Sequence, residues 1–304
     1  MVERAGIDDA LARLPPLRET IRRAGLEPDK RLGQHFLLDP AILARIAAAA
    51  GPLEGRTVLE VGPGPGGLTR ALLAAGAAEV VAVERDPRCV AALADLAAAA
   101  AGRLAIVEAD ALAFDPAGLA PPGTLVVVAN LPYNIGTELL LGWLHRAELF
   151  DRLVLLFQKE VALRLVARPG GAAYGRLSVL AQLVCRVERL FDLPPGAFFP
   201  PPKVASSLVR LVPRPERPSG TELAAVERVT AAAFGRRRKM LRRSLEGLAV
   251  EPEMLLGPLG IPPTVRAETL PPETFLALAR GLRAQPPPEE AAGSTRNRCT
   301  NSER

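Results

Sequence analysis

The sequence predicts an α/β fold built on a parallel sheet, and three stretches carry that expectation. Thr57-Val58-Leu59-Glu60-Val61 reads as a strand that runs into Gly62-Pro63-Gly64-Pro65-Gly66-Gly67 and then a helical pattern near Leu68 to Ala75. Two further strands, Glu79 to Val83 and Leu104 to Val107, are separated by a helical segment and are followed by Glu84 and Asp110. The apolar run Leu125-Val126-Val127-Val128-Ala129 reads as a buried strand and ends directly in Asn130-Leu131-Pro132-Tyr133-Asn134-Ile135. Strands alternating with helices build parallel sheets, which bind ligands beyond the carboxyl ends of their strands. Gly, Glu, Asp and Asn should therefore meet at one end of one sheet.

Residues 1–30 form a polar, helix-prone lead that closes on the turn-like Glu27-Pro28-Asp29-Lys30. After Arg31-Leu32-Gly33-Gln34-His35-Phe36-Leu37-Leu38, Asp39-Pro40 supplies an N-cap and first-turn proline for a helix through Ala50. In the glycine turn, Gly62 and Gly64 let the backbone approach a ligand closely, and the helix after it offers free N–H groups. Glu84 is placed to accept the ribose hydroxyls of a nucleoside, and the Asp110 carboxylate to accept from an adenine amino group. Asp86-Pro87 caps a helix to about Ala100. Helices are expected over Thr137 to Arg146 and from Gln158-Lys159-Glu160 to Val166, with a strand at Leu153 to Phe157 between them. Ala173-Tyr174-Gly175-Arg176-Leu177-Ser178 leads into another helix, and Ser206 to Val212 reads as a closing strand. His145 sits inside a helix with no candidate partner and receives no role.

The hexapeptide suits methylation of an exocyclic amine. Such an amine is a poor nucleophile because its lone pair is delocalised into the ring. The Asn130 side-chain oxygen and the Leu131 carbonyl can each accept one N–H and aim that lone pair at a methyl group. Pro132 holds Leu131 extended so that its carbonyl projects, and Tyr133 offers a face for a base to stack on. An Asn-Pro loop with a packed Tyr is the plainer reading. Gly62, Gly64 and Gly67 with Glu84 also fit the G-x-G-x-x-G dinucleotide fingerprint. An NAD enzyme, however, gives no reason for Asn-Leu-Pro-Tyr at the fourth strand, whereas S-adenosylmethionine explains both features. In Phe198-Phe199-Pro200-Pro201-Pro202-Lys203-Val204, Phe198 is expected to oppose Tyr133 across a flipped adenine, with Lys203 near phosphate.

Composition bounds the rest. The 304 residues, 49% of them apolar, suffice for one large core and a smaller one. A formal charge of +5 suits a polyanionic partner if the cations cluster. They do: six fall within Phe234 to Leu245. Arg236, Lys239 and Arg243 would share one face of a helix, and Arg238 and Arg242 another, with no acid interleaved, which favours phosphate. Cys89, Cys185 and Cys299 are scattered without metal-ligand spacing, so neither a metal site nor a disulfide framework is expected. Without an apolar leader or a membrane-length run, the chain is expected to be soluble, cytoplasmic and free of membrane contact. Pro213 to Gly220 reads as a linker, 221–283 as a small all-α domain and 284–304 as a disordered tail.

Together these motifs resemble the KsgA/RsmA family of ribosomal RNA adenine dimethyltransferases. The resemblance spans Arg31 to Arg283 and rests on Gly33 to Leu37, Glu60 to Gly66, Glu84, Asp110, Asn130 to Ile135, Gln158 to Val161, Tyr174 to Ser178, Phe198 to Val204 and the Arg-rich stretch. It implies a Rossmann-like, S-adenosylmethionine-dependent catalytic domain over 31–212 with a seven-stranded, mostly parallel sheet. It also implies a small helical domain that helps hold a ribosomal substrate, and a monomer. Carried over by position, the donor site is His35, Leu37, Gly62, Glu84, Asp110 and Asn130. Many members carry Asn where this chain has His35. The implied substrate is a pair of adjacent adenines near the 3′ end of small-subunit (16S) rRNA, each methylated twice on N6, with a role in late subunit assembly. Three rivals are a macrolide-resistance-type large-subunit rRNA methyltransferase, a nicotinamide oxidoreductase and a non-catalytic assembly factor.

Overall fold

The computed structural model describes residues 9–28, 33–236, 239–248 and 250–285. A helix α1 (Leu17–Arg23) precedes a two-residue strand β1 (Phe36–Leu37) and α2 (Pro40–Ala49), which Asp39 caps through its carboxylate as expected. Then come β2 (Thr57–Val61), α3 (Gly67–Ala74) and β3 (Glu79–Glu84). The expected helix after Asp86 divides into α4 (Pro87–Ala92) and α5 (Ala94–Ala99). Next are β4 (Leu104–Glu108), β5 (Leu125–Asn130), α6 (Gly136–His145), β6 (Phe150–Gln158) and α7 (Lys159–Leu165). The chain continues through α8 (Arg176–Val184), β7 (Cys185–Leu193), β8 (Phe198–Phe199) and β9 (Ser206–Pro213). Helices α9 (Gly220–Gly235), α10 (Leu241–Leu245), α11 (Pro252–Leu256) and α12 (Pro272–Ala284) complete it.

Seven strands form one sheet in the order β4-β3-β2-β5-β6-β9-β7. The pairs from β4 through β6 are parallel, and β9 runs antiparallel to both β6 and β7. The last strand in sequence thus lies inside the sheet, and β7 forms the edge. The chain leaves β2 towards β3 on one side and later returns to β5 on the other. This reversal opens the crevice where open α/β sheets hold ligands.

Side-chain alternation divides the core. Leu59, Val61, Val81, Val83, Val127 and Ala129 face one side, where they join α6, α8 and the C-terminal helices in a single apolar cluster. Val58, Val80, Ala82, Val126 and Val128 face the other and meet Leu43, Ile46, Leu68 and Leu72 of α2 and α3. Glu60 falls in register with the second set and is buried at 1% exposure. Among the described residues no helix is long and apolar enough to cross a membrane.

Candidate active site

The ends of β2 and β5 bring the glycine turn against the Asn130 segment. Gly62, with φ +69°, donates its N–H to the Val83 carbonyl at 2.9 Å, and a Cβ there would lie 3.7 Å from the Pro132 ring. Gly64, with φ +55°, has even less room, since its Cβ would stand 2.9 Å from the Phe36 ring. The resulting cleft is lined by His35, Gly62, Gly64, Glu84, Asp110 and Asn130, together with Leu131, Pro132 and Tyr133.

Asn130 is locked in one orientation. Its Nδ2 donates to the His35 carbonyl at 2.9 Å, which directs the amide oxygen away from that contact. His35 is itself fixed, with Nδ1 lying 2.7 Å from the Pro200 carbonyl; because a carbonyl only accepts, Nδ1 is the donor. Its ring stacks on Tyr133 with centroids 5.3 Å apart and planes inclined by 30°. The Tyr133 hydroxyl bonds Ser206 Oγ at 2.6 Å, and burial raises its pKa, so the phenol stays neutral. Leu131 anchors the segment with a side chain only 2% exposed, and the Pro132 carbonyl accepts from Gly136 N at 3.0 Å to open α6.

The two acids behave differently. Glu84, 7% exposed, accepts backbone N–H groups from Arg85 (2.8 Å) and Asp86 (2.9 Å) on Oε1 and from Gly64 (3.1 Å) on Oε2. A carboxylate offers about four lone-pair positions, so Glu84 retains one for a ribose hydroxyl rather than the expected two. Burial raises its pKa, and the backbone donors oppose that shift. Asp110 is more open; Oδ2 pairs with Arg85 at 3.1 Å and Oδ1 accepts from Leu112 N at 3.0 Å. Beneath the glycine turn lies a group that pattern reading missed. Burial raises Glu60 from 4.5 to about 8, Thr69 moderates the shift and the Glu84 charge adds to it. Glu60 Oε2 has no hydrogen-bond partner. An acid facing the core from an otherwise apolar strand was the signal available in the sequence.

Two expected site residues are buried: Leu37 lines a small cavity beneath the glycine turn with Glu60, Gly62 and Asn130, and Phe198 lies apart from the cleft. Leu37 and Phe198 pair across β1 and β8 and are buried in the core at 5% and 4% exposure. Phe198 therefore does not oppose Tyr133 across an open pocket; alternation along β8 turns it inward and leaves Phe199 outside at 43% exposure. The shared basic helical face also does not form. Helix α9 stops at Gly235, Arg236 is its C-cap, and α10 starts only after Met240. Arg236, Lys239, Arg242 and Arg243 are all exposed, and Arg243 pairs with Glu246 at 2.8 Å. Lys203 is exposed, while Arg238 lies outside the described residues. Among the described residues no His, Cys, Asp or Glu cluster could hold a metal ion.

Two solved structures share this framework. A dimethyladenosine transferase from Plasmodium falciparum is 28% identical, covers 80% of this chain and 96% of its own, and superposes with a TM-score of 0.69. The 23S rRNA methyltransferase ErmE, also 28% identical, covers 82% and 99% with a TM-score of 0.62. The sheet order, glycine turn and strand-end cleft make this a Rossmann-like methyltransferase. A family model described as ribosomal RNA adenine dimethylase matches residues 26–283, and the chain belongs to that family. Curated relatives named ribosomal RNA small subunit methyltransferase A include one from Rhodospirillum rubrum, 55% identical over 89% of this chain and 93% of its own. Another, from Azorhizobium caulinodans, is 56% identical over 91% and 95%. The nicotinamide reading is set aside, and the resemblance read from the motifs is borne out.

Proposed function

We propose that this enzyme takes methyl groups from S-adenosylmethionine and transfers them to N6 of two adjacent adenines in the 3′-terminal hairpin loop of small-subunit (16S) rRNA, giving N6,N6-dimethyladenosine. The relatives' shared name supports the small subunit as substrate. The observation that carries the chemistry is the Asn130 lock. With Nδ2 committed to the His35 carbonyl, the free end of the amide is an acceptor, which an incoming –NH2 group requires.

The cleft fits an adenosine-based donor. Gly64 leaves no room for a side chain and Gly62 holds a positive φ that favours glycine, Glu84 keeps one acceptor position for a ribose hydroxyl, and Asp110 offers a carboxylate to an adenine amino group. Glu60, kept protonated by burial up to about 8, presents its unpartnered Oε2 beneath the turn as a neutral hydrogen-bonding group. When bound, the donor supplies a sulfonium methyl, an electrophile that needs no activation by the protein. Asn130 Oδ1 and the Leu131 carbonyl each accept one N–H of adenine N6, turning its lone pair towards that methyl, while Tyr133 stacks on the base. No base is required at the moment of attack, because the product ammonium loses its proton afterwards. Positioning supplies most of the acceleration.

In this reading residues 31–212 form the catalytic domain, 213–220 the linker and 221–283 a helical domain holding the ribosomal substrate through Arg236, Lys239, Arg242 and Arg243. Lys203 meets phosphate near the target base. The enzyme acts as a cytoplasmic monomer late in small-subunit assembly. Incubation with labelled donor and either small subunits lacking the modification or large subunits tests the proposal. Label confined to small-subunit RNA is expected, and label on large-subunit RNA would overturn it.

A further inference from the structure

The Tyr174-to-Ser178 motif has no part in the chemistry above, yet it lines a second open cleft. This cleft, of about 410 Å³, is bounded by Thr137 and Leu141 of α6, by Arg164 and by residues from Ala173 to Ser178. A small cavity of about 10 Å³ shares Pro132 and Tyr133 with the methyl-transfer site and Thr137 with this cleft. Within the cleft, Leu141 stands one helical turn beyond Thr137 along α6. One helical turn rises about 5.4 Å, comparable to the spacing of successive phosphates on a nucleic-acid strand.

Two guanidinium groups reach this cleft from different elements, and a buried hydroxyl fixes their backbones together. Ser178, with no exposure, donates through Oγ to the Arg164 carbonyl at 2.5 Å and accepts from Gly175 N at 3.1 Å. Tyr174 pins the same loop from below, donating to the Leu270 carbonyl at 2.9 Å. The side chains themselves remain open. Arg176 is 45% exposed and only loosely paired, 3.8 Å from Glu227, a carboxylate that also faces His145 at 3.5 Å. Arg164 is 52% exposed and pairs with Glu160 one turn back on its own helix. Exposed pairs of this kind add little stability, and a guanidinium with five N–H donors keeps most of them free.

We propose that Arg164 and Arg176 form a phosphate clamp for the RNA strand beside the flipped adenine, and that Glu227 competes with that phosphate for Arg176. The clamp rests on the rRNA reading of the methyl-transfer site and adds to it a path for the flanking strand. Glu227 sets the strength of the clamp: with RNA absent it holds Arg176 in the cleft, and the phosphate must displace it.

The test measures methyl transfer to unmodified small subunits over a salt titration, using Arg164→Gln, Arg176→Gln, Arg176→Lys and Glu227→Gln. Each Gln replacement of an arginine should raise KM about fivefold and reduce the log–log salt slope by about 0.7, the value for one phosphate of a single strand left without its cation. Turnover at saturation and affinity for S-adenosylmethionine should not change, and Arg176→Lys should restore the slope. Glu227→Gln should lower KM; if the Arg176–Glu227 pair merely braced the helical domain, KM would rise instead. Unchanged salt slopes, or a Glu227→Gln variant that loses thermal stability and raises KM as Arg176→Gln does, would overturn the clamp. Wild-type enzyme that transfers no methyl to small subunits would instead overturn the rRNA reading beneath it.

Discussion

Replacing Asn130 with Ala removes two interactions at once, and the structure separates their sizes. The Nδ2 bond to the His35 carbonyl, 2.9 Å long and part-buried, belongs to the fold. A neutral hydrogen bond of this kind contributes about 1 kcal/mol. The Oδ1 acceptor serves the proposed reaction. A fixed dipole aimed at a reacting group in a dry site changes kcat by about 10²–10³, or about 3–4 kcal/mol. Asn130→Ala should therefore lower single-turnover transfer about a thousandfold while costing about 1 kcal/mol in denaturant unfolding. The cleft's other acceptors, Glu84 and Asp110, are untouched, so calorimetric affinity for the donor should stay within about threefold. Asn130→Asp sharpens the comparison. It keeps an acceptor but sets a carboxylate oxygen against the His35 carbonyl, so it should lose more stability than Ala while remaining nearly as slow. A turnover for Asn130→Ala within about threefold of wild type would refute the positioning argument, which assigns one of the two N6 acceptors to Asn130 Oδ1.

Gly64→Ala forces a Cβ to 2.9 Å from the Phe36 ring at φ +55°; the strain of about 1–2 kcal/mol should appear in unfolding. Donor affinity should fall with it, and an unchanged affinity would remove the glycine turn from the donor site. Glu60 is protonated in the folded protein up to about 8 but ionises near 4.5 when exposed. Folding therefore takes up a proton between those values, and stability falls as pH rises through that window. Glu60→Gln should be increasingly more stable than wild type across it, by up to about 5 kcal/mol at its upper end; parallel unfolding curves at all pH values would contradict this. Tyr133→Phe loses the 2.6 Å bond to Ser206 but keeps the stacking face. It should cost about 1 kcal/mol in stability with little change in transfer, whereas Tyr133→Ala should impair transfer. Gln at Arg236, Lys239 and Arg242 together should flatten the salt dependence of subunit binding by about 0.7 for each phosphate no longer neutralised, and an unchanged slope would remove that cluster from the RNA surface.

What the sequence made legible was the strand ends. β2, β3, β4 and β5 are short apolar runs in a parallel sheet, so the residues at or just beyond their carboxyl ends must emerge at one edge, and Gly62, Glu84, Asp110 and Asn130 do so. The two-residue pairing of β1 with β8 was invisible, since neither strand is long enough to show a period. That pairing brings His35 to Pro200 and turns Phe198 into the core, which explains why one site residue was found in place and another was not. The basic stretch misled for a different reason. Charge spacing alone reads as one continuous helix, but Gly235 ends α9 and Met240 opens α10. Glu60 was missed because its significance lies in burial, which a strand pattern does not report for a polar residue.

The central claim is that one acceptor pair, Asn130 Oδ1 and the Leu131 carbonyl, presents adenine N6 for methylation. Nucleoside mass analysis of unmodified small subunits after exhaustive transfer tests it most directly. The expected product is N6,N6-dimethyladenosine at adjacent positions of the small-subunit RNA, absent from the Asn130→Ala reaction. Methyl groups found on a ring nitrogen or a ribose oxygen would contradict the claim, because neither presents the –NH2 group these two acceptors are placed to hold.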